Sequence, residues 1–415
     1  MSVNRREFLM SAATIAAVTS QPLFRGSEVR AAELGEGVRQ DFPWASRETY
    51  LNCAAYHPIS VHSARAMEEY VGYRLHGAPV DLDDVGASGH GTGGPKQQRV
   101  KERFATLINA RPEEIAFVQS TSDGESVVVA GMDLARDATG NVVIDELHYG
   151  SAVYMYKRLA REHGLDVRIV KTRDGAIDLR DMEQAVDDRT RLVSMALVSN
   201  INGYMHDVKG ISDLAHAHGA YVYADVIQAA GCVPIDVQAM GLDMCACSSY
   251  KWLMGSRGFG FLYVRQDLQG SIVKPTRFGH RQVTSFDPAT DEWTLADGAA
   301  QYETGNVSNV GAACVHESLG YILKLGVPNI RAHVRPLTDR LQRELPAMGY
   351  PPLTPADNDS PIVVFTLPDP ERTAERLRHA SIATTVSVGA RRIRISPSVF
   401  TTPDDIDRLL AAMTA

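Results

Sequence analysis

The chain has 415 residues, 44% of them hydrophobic and 22% charged, which is enough for one large domain with a smaller one beside it and marks an ordinary soluble globular protein. A formal net charge of −8, with arginines scattered rather than clustered, excludes a nucleic-acid partner on electrostatic grounds and favours small polar substrates. Five cysteines (53, 232, 245, 247 and 314) cannot all pair internally, and neither C-x-x-C nor H-E-x-x-H spacing occurs, so a metal site has no support.

In chain order, the first 31 residues stand apart. "NRREFLM" (4–10), the mildly apolar run "SAATIAAVTS" and the A-x-A-like site near Ala31 read as a twin-arginine signal peptide. The apolar run is too short to span a bilayer, and no cysteine follows it closely. The expectation is a soluble periplasmic protein handed to the twin-arginine export machinery, with no stable membrane insertion. Residues 32–75 precede the large domain and are expected to pack on the small one. Gly89, Gly91 and Gly94 fit G-x-G-x-x-G, but no buried strand comes before them, so the Gly86–Gly94 stretch reads as a loop near an entrance.

From about residue 110 an apolar β-branched run, a short polar loop and a helical pattern alternate repeatedly. That alternation predicts an α/β fold, a mostly parallel sheet with helices on both faces, over 76–307. After residue 308 a long helix (310–325), a proline-punctuated stretch and short strands predict a smaller α+β domain to residue 415. Ligands of such sheets bind beyond the carboxyl ends of the strands, so the strand-end residues should converge.

Those residues form a consistent inventory. "STSDGES" (120–126) offers hydroxyls and a glycine where a helix begins, an anion site or a plain N-cap. His148 and Tyr149 end another strand with flat rings, and Asn200 ends a third with a neutral donor. Asp225 is a carboxylate at a buried strand end that calls for a cation, and Gln228 follows it at a spacing that returns to the same side. Lys251, in "SSYKWLMGSRGFGFLYV" (248–264), lies between two apolar runs; burial lowers a lysine's pKa and frees a nucleophilic amine. A buried amine for an aldehyde, an acid for a ring nitrogen, donors for a phenolic oxygen, a ring to stack on and a helix start for a phosphate describe the site of pyridoxal 5′-phosphate.

D-x-x-Q at 225–228, followed by S-S-Y-K-W and a G-x-G-x-L-Y-V strand, resembles the class V aminotransferase family of fold type I enzymes, which includes cysteine desulfurases, isopenicillin N epimerase and kynureninase. "YLNCAAYHPIS" (50–60), "SNINGYMHD" (199–207), "YETGNVSN" (302–309) and "RRIRISPSVFTTPDDID" (391–407) are similar to further motifs of that family. The resemblance implies a homodimer with seven-stranded large domains. In it Lys251 carries the cofactor, Asp225 binds the pyridine nitrogen, and Gln228 and Asn200 lie near the phenolic oxygen. His148 stacks on the ring, with Tyr149 as the alternative. Thr121, Ser122, Asp123, Gly124, Ser248 and Tyr250 hold the phosphate, with Asn306 reaching in from a second subunit. Arg394 clamps the substrate carboxylate and Tyr56 faces the substrate.

Departures from the family pattern carry weight as well. Tyr250 stands where desulfurases carry histidine, Asn306 replaces a threonine, and no cysteine follows Cys314. The expectation is therefore an isopenicillin N epimerase-like or kynureninase-like member and not a cysteine desulfurase. Exported relatives include a siderophore-tailoring enzyme, so an amino acid or an amino-acid residue of a secreted peptide is the expected substrate. Transamination, epimerisation, elimination and oxidative decarboxylation all begin at its α-carbon. A non-catalytic binding protein on the same fold is the alternative.

Overall fold

The computed structural model describes residues 34–77, 95–136 and 139–414. The segment read as a signal peptide and the Gly86–Gly94 loop lie outside these residues.

A short strand β1 (Thr49–Tyr50) and helices α1 (Val61–His76) and α2 (Pro95–Ile108) lead into the main sheet. There β2 (Ile115–Val118), α3 (Thr121–Gly131), β3 (Asn141–Asp145), α4 (Gly150–His163), β4 (Asp166–Val170), α5 (Leu179–Ala185), β5 (Thr190–Ala196), α6 (Val208–Ala217) and β6 (Tyr221–Asp225) alternate as expected. Strands β7 (Met244–Ser248) and β8 (Gly260–Val264) complete seven strands in the order β2-β8-β7-β6-β5-β3-β4. Only β8 runs against its neighbours, β7 and β2. A sheet covered on both sides needs apolar residues at every position, and β2, β3, β6, β7 and β8 are nearly or wholly buried. Alternate side chains feed two cores: Val143, Val193, Val222 and Cys245 on one face, Val142, Leu192, Tyr223 and Met244 on the other.

Two glycines allow close approaches that shape the site. A Cβ on Gly124 would lie 2.6 Å from the Cβ of Ala246, so glycine lets α3 settle against β7. Gly231, at φ +102°, passes so near the Trp252 carbonyl that a side chain would collide with it, which seats the turn carrying Lys251.

A hairpin of β9 (Val283–Asp287) and β10 (Glu292–Leu295) follows. The sequence reading did not anticipate it, because both its faces are largely exposed and no burial pattern marks it. Helix α7 (Asn309–Leu325) packs on α1 and α2 and shares their core. The long helix α8 (Val327–Ala347) accommodates Pro336 and Pro346. With α9 (Pro370–His379) and α10 (Pro403–Thr414), it flanks a three-stranded antiparallel sheet of β11 (Val363–Thr366), β13 (Thr385–Ser387) and β14 (Arg392–Ile395). Strand β1 joins this unit by pairing in parallel with β12 (Ile382–Ala383).

A buried ion cluster ties α2, β2 and the 302–308 segment together. Glu303 receives Lys101 Nζ at 2.7 Å, Arg281 Nη2 at 2.7 Å and the Phe117 N–H at 3.0 Å. Removing the carboxylate leaves two enclosed cations facing each other. Glu303→Ala is expected to cost about 3–5 kcal/mol, measured as a lowered urea midpoint; a loss under about 1 kcal/mol would show that the cluster does not carry this segment.

Candidate active site

The parallel register places the strand ends side by side: Ala196 pairs with Asp225, and Asp225 with Ala246. Asp225 is buried, accepts the Ile227 N–H at 2.9 Å and has no ion pair among the described residues. Burial pushes its carboxyl up to about 6, against the pull of the Ile227 N–H and of the charges on His148 and Lys251. Lys251 is 7% exposed. Burial lowers its amine to about 8, opposed by the charge of Asp225 and reinforced by Arg394.

The phosphate end is built from two strands. Ser248 Oγ accepts the Thr121 N–H at 2.8 Å and lies 3.1 Å from Thr121 Oγ1, which accepts the Ser248 N–H. Ser122 is exposed, with its hydroxyl 3.2 Å from that of Ser151. The other two residues of the turn present no free donor. The Asp123 N–H goes to the Ser120 hydroxyl and the Gly124 N–H to the Ser120 carbonyl. The Asp123 carboxylate pairs with Arg277 at 2.7 Å, so its expected contact with a phosphate is replaced by a surface ion pair. The hydroxyls of Thr121 and Ser122 at the start of the eleven-residue helix α3, with that of Ser248 at the end of β7, are the groups left that could hold an anion.

Of the two candidate rings, His148 has no exposed surface; its Nδ1 accepts the Tyr149 N–H and its Nε2 faces Glu125 and Ser194. An enclosed ring has no free face for stacking. Tyr149 is 43% exposed and lies within electrostatic reach of Tyr250, so of the two rings Tyr149, and not His148 as first assigned, keeps a face free for stacking. Gln228 bridges two loops, donating to the Ala54 carbonyl at 3.0 Å and accepting from Trp252 Nε1 at 2.9 Å; its second amide hydrogen remains for a cofactor oxygen.

Arg394 comes from the small domain. It donates to the Asn200 carbonyl at 3.1 Å and to Thr385 Oγ1 at 3.3 Å, its Nε is buried without a partner, and no carboxylate meets it among the described residues. Burial lowers it to about 10, and neighbouring Arg392 adds to the shift. Asn200 thus enters through its main chain. Thr385 in turn donates to Asn52 Oδ1 at 2.6 Å. The Tyr56 ring lies 6.2 Å from that of Tyr250, beside Lys251. Asn306 lines a separate cleft of about 550 Å³ with Gln119 and Arg277, apart from Lys251 and Arg394 of the same chain.

The sequence reading passed over Glu125, Thr385, Asn52 and Arg257. Arg257 stands 4.8 Å from the Tyr56 ring; only its position two residues past Gly255 in the lysine's own loop could have drawn notice. The residues fit the cofactor: a buried acid lacking a cation, an unpaired amine, a hydroxyl-lined helix start and an arginine without its anion each match one of its groups or its substrate's.

The chain matches the class V aminotransferase family over residues 91–409 and belongs to it. It is a pyridoxal 5′-phosphate-dependent enzyme of fold type I. It is 33% identical over 307 residues, 74% of each chain, to a probable cysteine desulfurase of Methanothermobacter thermautotrophicus. It is 30% identical over 316 residues, 73% of this chain and 75% of the other, to a cysteine desulfurase of Klebsiella pneumoniae. The fold is similar to an apo cysteine desulfurase from Thermococcus onnurineus (TM-score 0.80, 24% identity, 92% and 97% covered). It is also similar to a cystine C–S lyase in complex with its product cysteine persulfide (TM-score 0.79, 19% identity, 90% and 99% covered).

These relatives overturn the exclusion of cysteine desulfurases and the placement near isopenicillin N epimerase and kynureninase. The exclusion rested chiefly on a missing cysteine after Cys314, beside the departures at Tyr250 and Asn306.

The raised Asp225 carboxyl has a sign that can be checked. Its contribution to stability is complete below the unfolded value near 3.8 and is lost as pH rises through about 6. In cofactor-free protein, Asp225→Asn should therefore gain up to about 3 kcal/mol on wild type between pH 4 and pH 7. Urea unfolding across that range measures it; a flat difference would mean that Asp225 is not desolvated.

Proposed function

We propose that the enzyme cleaves the C–S bond of a cysteine-type amino acid outside the cytoplasm, starting at the substrate's α-carbon. The observation that carries the reading is Lys251, an unpaired amine lowered to about 8 between Asp225 and Arg394. The names of its sulfur-cleaving relatives support the choice of bond.

When bound, pyridoxal 5′-phosphate supplies an electron sink for negative charge at the α-carbon. Asp225 holds a proton at the ring nitrogen, where burial strengthens the pair. Arg394 grips the substrate carboxylate in a forked contact, steadied by the Asn200 carbonyl and Thr385. Lys251 removes the α-proton and returns a proton to the departing group, work suited to an amine that titrates near the operating pH.

Export through the twin-arginine machinery is supported by Arg5-Arg6 and the apolar run behind them. All five cysteines are free and buried, as suits a chain that folds before it meets an oxidising compartment. Asn306, exposed on the segment that lines its own cleft, supports a homodimer in which it serves the partner's site.

Cofactor-loaded protein incubated with cysteine or cystine should release sulfide or persulfide. Lys251→Ala should lower turnover about 10²- to 10⁴-fold with the thermal midpoint unchanged; full activity in that variant would remove the mechanism. Arg394→Lys should lower kcat/KM about 10- to 100-fold, chiefly through KM, and an unchanged KM would place the carboxylate elsewhere. Periplasmic fractionation of wild type and an Arg5→Lys, Arg6→Lys double variant tests the location, and retention of both in the cytoplasm would refute it.

A further inference from the structure

The approach to Lys251 carries more positive charge than one carboxylate requires. Arg394, on β14 of the three-stranded sheet, lies near enough to Lys251 to lower its amine further. Arg257 rests on two rings, its guanidinium carbon 4.8 Å from the centroid of Tyr56 and 5.6 Å from that of Tyr250. Lys251 Nζ lies 5.8 Å from the same Tyr250 centroid, so the arginine and the reacting amine share one ring. The platform is rigid. The His57 N–H donates to the Tyr250 carbonyl at 3.1 Å, and Gln228 holds the Ala54 carbonyl.

Arg257 is exposed and makes no ion pair or hydrogen bond among the described residues. Stacking occupies the face of a guanidinium and leaves its in-plane N–H groups pointing outward, the edge that receives a carboxylate in a fork. A stacked arginine is also held in one orientation before any ligand arrives, which lowers the entropy cost of binding.

We propose that Arg257 recognises a second carboxylate at the far end of the substrate, and that the substrate class is a two-headed amino acid joined through sulfur, cystine being the simplest. This inference rests on the C–S cleavage proposed above and names its substrate. The cysteines agree with it: all five are buried, and burial pushes every thiol up, away from the nucleophilic thiolate. A disulfide substrate carries its own sulfur acceptor. The Cβ–S bond breaks, its electron pair leaves with the sulfur, and the S–S bond stays intact in the cysteine persulfide released. The other three carbons leave as pyruvate and ammonia after one water is added, so no oxidant or reductant is needed. Outside the reducing cytoplasm, cysteine is held largely in the disulfide form.

The test compares binding of two probes to cofactor-loaded protein by calorimetry: 2,7-diaminosuberate, in which methylenes replace both sulfurs of cystine, and 2-aminooctanoate, which lacks the second head group. Wild type should prefer the first by at least about tenfold. Arg257→Gln should reduce that preference to about twofold or less, and Arg257→Lys should keep part of it. The proposal is overturned by a wild-type preference near one, by an unchanged preference in Arg257→Gln, or by a loss that appears in Arg392→Gln instead. Loss of bound cofactor from Arg257→Gln, read from its visible absorbance, would overturn it too, by assigning Arg257 to the phosphate. If cystine yields neither pyruvate nor persulfide while the preference for diaminosuberate persists, the C–S reading fails and the role of Arg257 stands.

Discussion

Burial of a carboxylate and an amine at the ends of adjacent strands, neither neutralised by an ion pair, is the constraint on which the rest of this molecule turns. Asp225 is pushed up to about 6 and Lys251 down to about 8 for the same reason, loss of water. A chain that bore such a cost for structure alone would gain by replacing both with apolar residues. The cost is offset when a protonated ring nitrogen meets the acid and an aldehyde meets the amine. Nearby packing serves that end: Gly124 brings the start of α3 against β7, and Gly231 lets the Lys251 turn settle.

The site draws on both sheets. Asp225, Lys251, Thr121 and Ser248 come from the large sheet, while Arg394 and Thr385 come from the small one. The N-terminal segment couples them: Asn52 holds Thr385, the Ala54 carbonyl holds Gln228, and the His57 N–H holds the Lys251 turn. The position of Arg394 relative to Lys251 is therefore set by how the two sheets and this loop pack together. Arg394 keeps its Nε buried and, among the described residues, without a partner.

Sulfur chemistry and the charge of the entrance can be read together. A family whose relatives break C–S bonds appears here with every thiol enclosed and with a second, stacked guanidinium near the lysine. In the reaction proposed above, the first feature leaves the sulfur with the substrate, and the second supplies the group proposed to hold that substrate's far end.

Much of this was legible in the sequence, because the signals were local. The alternation of apolar runs with helical patterns gave the α/β fold, since a doubly covered sheet admits only apolar strands. Lys251, Asp225, Gln228 and Arg394 stood out as polar residues in apolar or motif surroundings, and they imply the cofactor by their chemistry alone. Other features depended on distance. The choice between His148 and Tyr149 turns on which ring faces inward, one peptide unit apart. Asp123 was diverted by Arg277, 154 residues away, and Asn200 contributes a carbonyl that has no side-chain signature. The β9–β10 hairpin buries neither face, so no period marked it, and Arg257 looks like any surface arginine until Tyr56 is folded beneath it. Sequence alone determined which chemical groups the protein possesses and the layered sheet that carries them; tertiary structure decided which groups lost their water and which found partners, because both depend on contacts between segments hundreds of residues apart.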